Sequence, residues 1–165
     1  MKNRGTSGPV SSQGFTNPVI SRNCGKSGSA DGLGLTVIDT SLVIAYADTS
    51  DSLHEAAHQA IRQAGSADEL AISLITYAEI LVGVFRRGGG SAEAVERFLA
   101  DTGLRLQPVT QAVAVLAASL RAKHAALRLP DALILATAEV LGARSLLTAD
   151  ARWRRYSRLT TVVPA

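Results

Sequence analysis

The sequence predicts an α/β fold, a parallel β-sheet flanked by helices on both faces. Three observations carry this. From Leu35 onward, short aliphatic or β-branched runs alternate with longer stretches of helical periodicity, the order that builds a parallel sheet through helical crossovers. Hydrophobic residues make up 47% of the chain but aromatic residues only 4%. The core is therefore aliphatic, which suits helices packed on a buried parallel sheet better than a β-sandwich. At 165 residues the length fits one domain with an appendage.

Residues 1 to 33 form the appendage. They are rich in Gly, Ser, Asn and Pro and have no periodicity, so burial cannot offset their ordering entropy and a disordered N-terminal arm is expected. The domain, residues 34 to 165, opens with a strand over Leu35 to Asp39. A short helix follows from Ser41 to Ala47, then a second from Ser52 to Ala64 with Gly65 as its stop. Strand two, Leu70 to Ser73, runs directly into a helix from Leu74 to Arg86 that ends at a glycine triplet. Ser91 caps the next helix, which has Ala94, Val95, Phe98 and Leu99 on one face. Strand three covers Leu104 to Pro108, and Thr110 caps a helix running to Ala126. Pro130 suits the first position of a helix over Asp131 to Leu141, ended by Gly142. Strand four is Ser145 to Thr148, and Leu159 to Val163 supply a fifth, edge strand.

The net charge of +3 arises in the arm, where Lys2, Arg4, Arg22 and Lys26 face Asp31. The rest is polarised. From Arg121 onward Arg121, Lys123, Arg128, Arg144, Arg152, Arg154, Arg155 and Arg158 outnumber Asp131, Glu139 and Asp150, which gives the last third the bias a polyanion would favour. No apolar run is long enough to span a membrane, and the N-terminus lacks the apolar stretch of a secretory signal. The lone Cys24 excludes an intramolecular disulfide, in keeping with a cytoplasmic location.

Four carboxylates occupy apolar settings. Asp39 ends Leu35-Thr36-Val37-Ile38, Glu79 lies inside Leu74 to Phe85, Asp131 opens Ala132 to Ala138, and Asp150 closes Leu146-Leu147-Thr148. A buried ionised acid needs a cationic partner or takes up a proton. Each position alone has an ordinary reading: a helix cap at Asp39, a helix-dipole acid at Asp131, a turn at Asp150, a surface residue at Glu79. Together they converge, because ligands of such sheets bind beyond the carboxyl ends of the strands. Oxygen-only ligands suit Mg²⁺ or Mn²⁺ rather than zinc, and such cations can clamp the oxygens of a phosphodiester.

The segments Val37-Ile38-Asp39-Thr40-Ser41, Ile75-Thr76-Tyr77-Ala78-Glu79-Ile80, Leu129-Pro130-Asp131-Ala132-Leu133-Ile134-Leu135-Ala136-Thr137-Ala138 and Leu147-Thr148-Ala149-Asp150 resemble the PIN domain, in its small VapC-like toxin branch. The resemblance covers Leu35 to Pro164. It implies that Asp39, Glu79, Asp131 and Asp150 bind Mg²⁺ or Mn²⁺ and position a water to cut RNA. It also implies that Thr40, Ser41 and Thr148 hydrogen-bond the acids or the water, and that the chain has a cognate antitoxin and forms a homodimer. Leu74 to Phe85, apolar on more than one face, suits either a partner groove or core packing. Arg152, Arg154, Arg155 and Arg158 follow Asp150 closely and are expected to contact RNA phosphates. Trp153 and Tyr156 between them are expected to pack at the sheet edge rather than to stack on bases.

Two alternatives from other classes remain. His54-Glu55-Ala56-Ala57-His58 matches the H-E-x-x-H pattern of zinc metalloproteases, with Glu79 a conceivable third ligand. That reading leaves Asp39, Asp131 and Asp150 unexplained. A non-catalytic RNA- or protein-binding module is the reading if the acids stand too far apart to share a metal.

Overall fold

The computed structural model describes residues 33–88 and 90–164; all of the expected arm except Leu33, with Cys24, lies outside the described residues. The elements run β1 (Gly34–Ile38), α1 (Thr40–Ala47), α2 (His54–Gly65), β2 (Asp68–Ser73), α3 (Leu74–Arg87), α4 (Ala92–Thr102), β3 (Arg105–Gln107), α5 (Gln111–Lys123), α6 (Leu129–Val140), β4 (Ser145–Thr148), a 3-10 turn (Ala151–Arg155) and β5 (Thr160–Val162). The strands pair in the order β3-β2-β1-β4-β5, all parallel. Chain order reverses at β1, which lies between β2 and β4. A crevice opens at such a switch point, beyond the strands' carboxyl ends.

Strand alternation sends side chains into two cores. Ile38, Leu70, Ile72 and Leu147 meet α1, α2 and α4 on one face, with Leu42, Val43, Ala57, Ile61, Val95 and Leu99. Val37, Ala71 and Leu146 meet α5, α6 and Trp153 on the other. Ile72 and Leu135 are fully buried, and truncating either to Ala should cost about 2–5 kcal/mol. No helix among the described residues is long and apolar enough to cross a membrane.

Caps set most boundaries as expected. Ser73, Ser91 and Thr110 accept hydrogen bonds from the first turns of α3, α4 and α5. Gly88 and Gly103 end α3 and α4 at φ 70°, a left-handed conformation that costs glycine least. Several boundaries differ, most clearly at α2 and α5. α2 starts at His54 rather than Ser52, because the Asp51 side chain accepts from Leu53 N–H and fixes a turn there. Gly65 is its last residue rather than its stop. α5 ends at Lys123 instead of Ala126; Leu127 N–H bonds to the His124 carbonyl, a turn that buries Leu127. α6 then begins at Leu129, with Pro130 in its first turn, where a missing N–H costs nothing. This turn brings Arg128 to the threshold of α6.

Candidate functional site

The crevice at the switch point is a cleft of about 650 Å³ lined by Asp39, Thr40, Ser41, Ile44, Glu79, Arg128, Asp131, Ala149, Asp150, Ala151 and Trp153. All four sequence-selected acids reach it, each from a different element. Asp39 follows β1 and caps α1, Glu79 projects from α3, Asp131 opens α6 and Asp150 follows β4.

Asp39 is 6% exposed and its carboxylate is fixed from three sides. Oδ1 accepts from Thr40 N–H at 2.7 Å, and Oδ2 accepts from Ser41 Oγ at 2.7 Å and Thr148 Oγ1 at 2.8 Å. Burial nevertheless pushes this carboxyl above its ordinary pKa, against the lowering effect of those three bonds, and the neighbouring charge of Asp131 adds to the rise. Thr40 Oγ1 donates to Glu79 Oε2, so one threonine touches two of the acids. Thr148 Oγ1 also accepts from Asp150 N–H at 3.1 Å. Thr40, Ser41 and Thr148 thus hold acids by hydrogen bonds while Asp39 and Thr148 also serve as cap and turn residues.

Asp131 and Asp150 each carry an arginine. Arg128 Nε and Nη2 donate to Asp131 Oδ2 and Oδ1, both at 3.0 Å. Arg152 Nε donates to both Asp150 oxygens at 2.9 and 3.0 Å, and its backbone N–H bonds Oδ1 at 2.9 Å. These contacts hold the Asp150 carboxyl below its ordinary pKa. Among the described residues no three Asp, Glu, His or Cys side chains are grouped closely enough to hold a metal ion as they stand. The donor set itself fits a hard divalent cation, since every candidate ligand is a carboxylate oxygen, and a cation would relieve the like-charge contact between Asp39 and Asp131.

The histidines have packing roles. His54 Nδ1 bonds the Ala45 carbonyl at 2.9 Å, and His58 stacks on Tyr46 with centroids 5.0 Å apart and planes 7° from parallel. Glu55 accepts from Gln59, and Glu79 turns to Thr40 rather than to these rings. Trp153 is 3% exposed within the α5–α6 core, so its ring is not offered to a base. Arg152, Arg154 and Arg155 are exposed on the 3-10 turn, with exposed Arg158 just beyond it. Arg128 was not among the expected site residues, although its spacing of three from Asp131 is the helical-neighbour signal that reveals it.

A second recess of about 600 Å³ lies between α1, α3 and α4, lined by apolar Ile44, Ala47, Ile80, Val84, Val95 and Phe98 among others. Ile44 borders both recesses. On α3, Leu74, Val82 and Phe85 are 41%, 47% and 59% exposed.

Solved structures share this architecture. A toxin–antitoxin complex from Klebsiella pneumoniae is 26% identical, aligned over 77% of this chain and 96% of its own, with a TM-score of 0.61. VapC20 of Mycobacterium tuberculosis, described as a sarcin–ricin loop cleaving toxin, has the same fold at 22% identity and TM-score 0.60, over 73% of this chain and 93% of its own. VapBC2 of Rickettsia felis, solved on a promoter DNA fragment, does so at 18% identity and TM-score 0.64, over 78% and 98%. No curated protein sequence matches. The PIN domain family model matches residues 36–159, a span that holds β2, β3 and β4 whole, the end of β1 and every acid of the cleft. The chain belongs to the PIN domain family.

Proposed function

We propose that the chain is a metal-dependent endoribonuclease that hydrolyses RNA phosphodiester bonds in the cytoplasm, as the toxin of a toxin–antitoxin pair. The observation that carries this reading is the convergence of Asp39, Glu79, Asp131 and Asp150, from four elements, on one cleft at the sheet's switch point. These four residues would hold Mg²⁺ or Mn²⁺. When bound, such an ion lends positive charge to the phosphodiester oxygens and makes water easier to deprotonate. Ser41, Thr148 and Thr40 N–H keep the Asp39 carboxylate from rotating. Oδ1 carries one of those bonds and Oδ2 two, which leaves Oδ1 the freer atom for a cation or a proton. Thr40 orients Glu79 in the same way. Water attacks phosphorus in line with the leaving oxygen, and a cleft carboxylate takes its proton. Arg152, which grips Asp150, and the exposed Arg154, Arg155 and Arg158, which follow it in sequence, are the proposed track for neighbouring phosphates.

An antitoxin is the partner we assign to the apolar recess between α1, α3 and α4. The Klebsiella neighbour is itself a toxin–antitoxin complex, and Ile44 joins this recess to the acid cleft. A segment seated there would reach the acids with a cationic side chain. A second copy of the chain is the proposed cover for exposed Leu74, Val82 and Phe85, giving a homodimer. The non-catalytic reading draws on one observation, the lack of a ready metal-holding group among the described acids. The two separate on one assay. The nuclease reading expects purified protein to cut single-stranded RNA with added Mg²⁺ or Mn²⁺ and to stop in excess EDTA; cleavage unaffected by EDTA rejects the metal mechanism, and no cleavage with either ion favours a binding module. Expression of the chain should also arrest bacterial growth, reversed by the antitoxin.

A further inference from the structure

The cleft contains two cations of the chain's own. Arg128 lines it and Arg152 stands at its edge, next to lining residues Asp150 and Ala151. Each grips a single acid through two guanidinium nitrogens, and among the described residues neither guanidinium bonds anything else. The arginine side chains are 75% and 71% exposed, their acids only 12% and 25%. The cation of each pair is thus free to leave while its acid stays in the wall.

We infer that Arg128 and Arg152 are exchangeable counter-ions. They sit on Asp131 and Asp150 while the acids hold no cation, and they pass to the RNA phosphates flanking the cut when a divalent ion takes the carboxylates. The inference rests on the ribonuclease reading above. A guanidinium fork matches carboxylate and phosphate equally well, so the transfer exchanges one two-point contact for another of the same geometry. Ion pairs this exposed are weak, which keeps the arginines displaceable. Their neighbourhood to the acids delivers them to the place where phosphate must lie. Arg128 thereby becomes a positioning residue for substrate, and the two pairs prevent the metal-free cleft from being an uncompensated cluster of negative charge.

The test separates metal binding from RNA binding in the full chain. Mn²⁺ affinity is measured without RNA by the loss of the free-ion electron paramagnetic resonance signal. RNA affinity is measured in Mn²⁺ with a 2′-O-methyl single-stranded oligoribonucleotide, which resists cleavage. Arg128→Ala and Arg152→Ala should each tighten Mn²⁺ binding by about two- to fivefold, the loss of one exposed ion pair. Each should also weaken RNA binding and lower its log–log salt slope by about 0.7. Lys at either position should restore the salt slope but less of the affinity. These opposite movements mark exchange, since a merely structural arginine would move both affinities the same way. If wild type binds Mn²⁺ and cuts RNA while both Ala variants bind Mn²⁺ unchanged or more weakly, the inference is overturned and the nuclease reading stands. If wild type binds no Mn²⁺, the acid-site reading fails and takes the inference with it.

Discussion

Thr148, at the end of β4, donates its hydroxyl to Asp39, just past the end of β1, over 2.8 Å and 109 residues of sequence. The bond joins the two strands that flank the switch point, and Thr148 receives Asp150 N–H on the same oxygen. One fully buried hydroxyl therefore sets the relation between two of the four cleft acids.

Thr148→Val keeps the shape of the side chain and removes both bonds. Leaving a buried carboxylate short of a donor should cost about 1–3 kcal/mol of unfolding free energy, read as a lower urea midpoint with unchanged slope. Thr148→Ser, which keeps the hydroxyl, should recover most of it. Equal stability of the Val and Ser variants would show that the bond contributes nothing.

The raised pKa of Asp39 makes a prediction about pH. Folding raises this carboxyl above its unfolded value, so the folded chain is favoured by its protonation: the contribution is fully present below the ordinary carboxylate range and lost as pH rises through the raised value. Asp39→Asn should therefore raise the melting temperature at neutral pH, and the gain should shrink as falling pH protonates the wild-type acid. Asp150→Asn should show no such gain, since Arg152 holds that carboxyl below its ordinary value. Melting curves across this pH range decide both.

His58→Ala should leave RNA cleavage intact and cost about 0.5–1.5 kcal/mol of stability, the worth of an aromatic stack such as that with Tyr46. Loss of cleavage in a folded His58→Ala protein would place the histidines in the site and revive a zinc reading.

Replacing Arg154, Arg155 and Arg158 together with Gln should lower the salt slope of RNA binding by about 0.7 for each phosphate that the arginines neutralise. The three are exposed, so thermal stability should change little. An unchanged slope would remove this segment from the RNA track.

The sheet and helices were legible because the central strands β1, β2 and β4 hold short aliphatic runs and three of the helices start at a side-chain cap that the sequence shows, at Ser73, Ser91 and Thr110. The start of α2 and the end of α5 were not, since turns around Asp51 and His124 override helical periodicity with local hydrogen bonds. In the cleft, the four acids could be picked out because carboxylates beside apolar runs are costly. Of their partners only Arg128 left a signal, its spacing of three from Asp131; Arg152 reaches Asp150 through a long flexible side chain whose direction no periodicity encodes. Asp68 shows the limit of the cost argument. It is buried like Asp39 and Asp131, yet it opens β2 and is held by Thr36 Oγ1 at 2.7 Å and Arg144 at 2.8 Å. In sequence it reads as one more acid in a turn.

If the four cleft acids act as one catalytic unit, single-turnover cleavage of single-stranded RNA in saturating Mn²⁺ will depend on all of them. Asp39→Asn, Glu79→Gln, Asp131→Asn and Asp150→Asn are compared with wild type after each is shown to be folded. Every variant should lose about a hundredfold or more in rate, and pairing two substitutions should add little, since groups that act as a unit are not additive. Wild-type rates in any two of the four would show that the acids are not a catalytic unit.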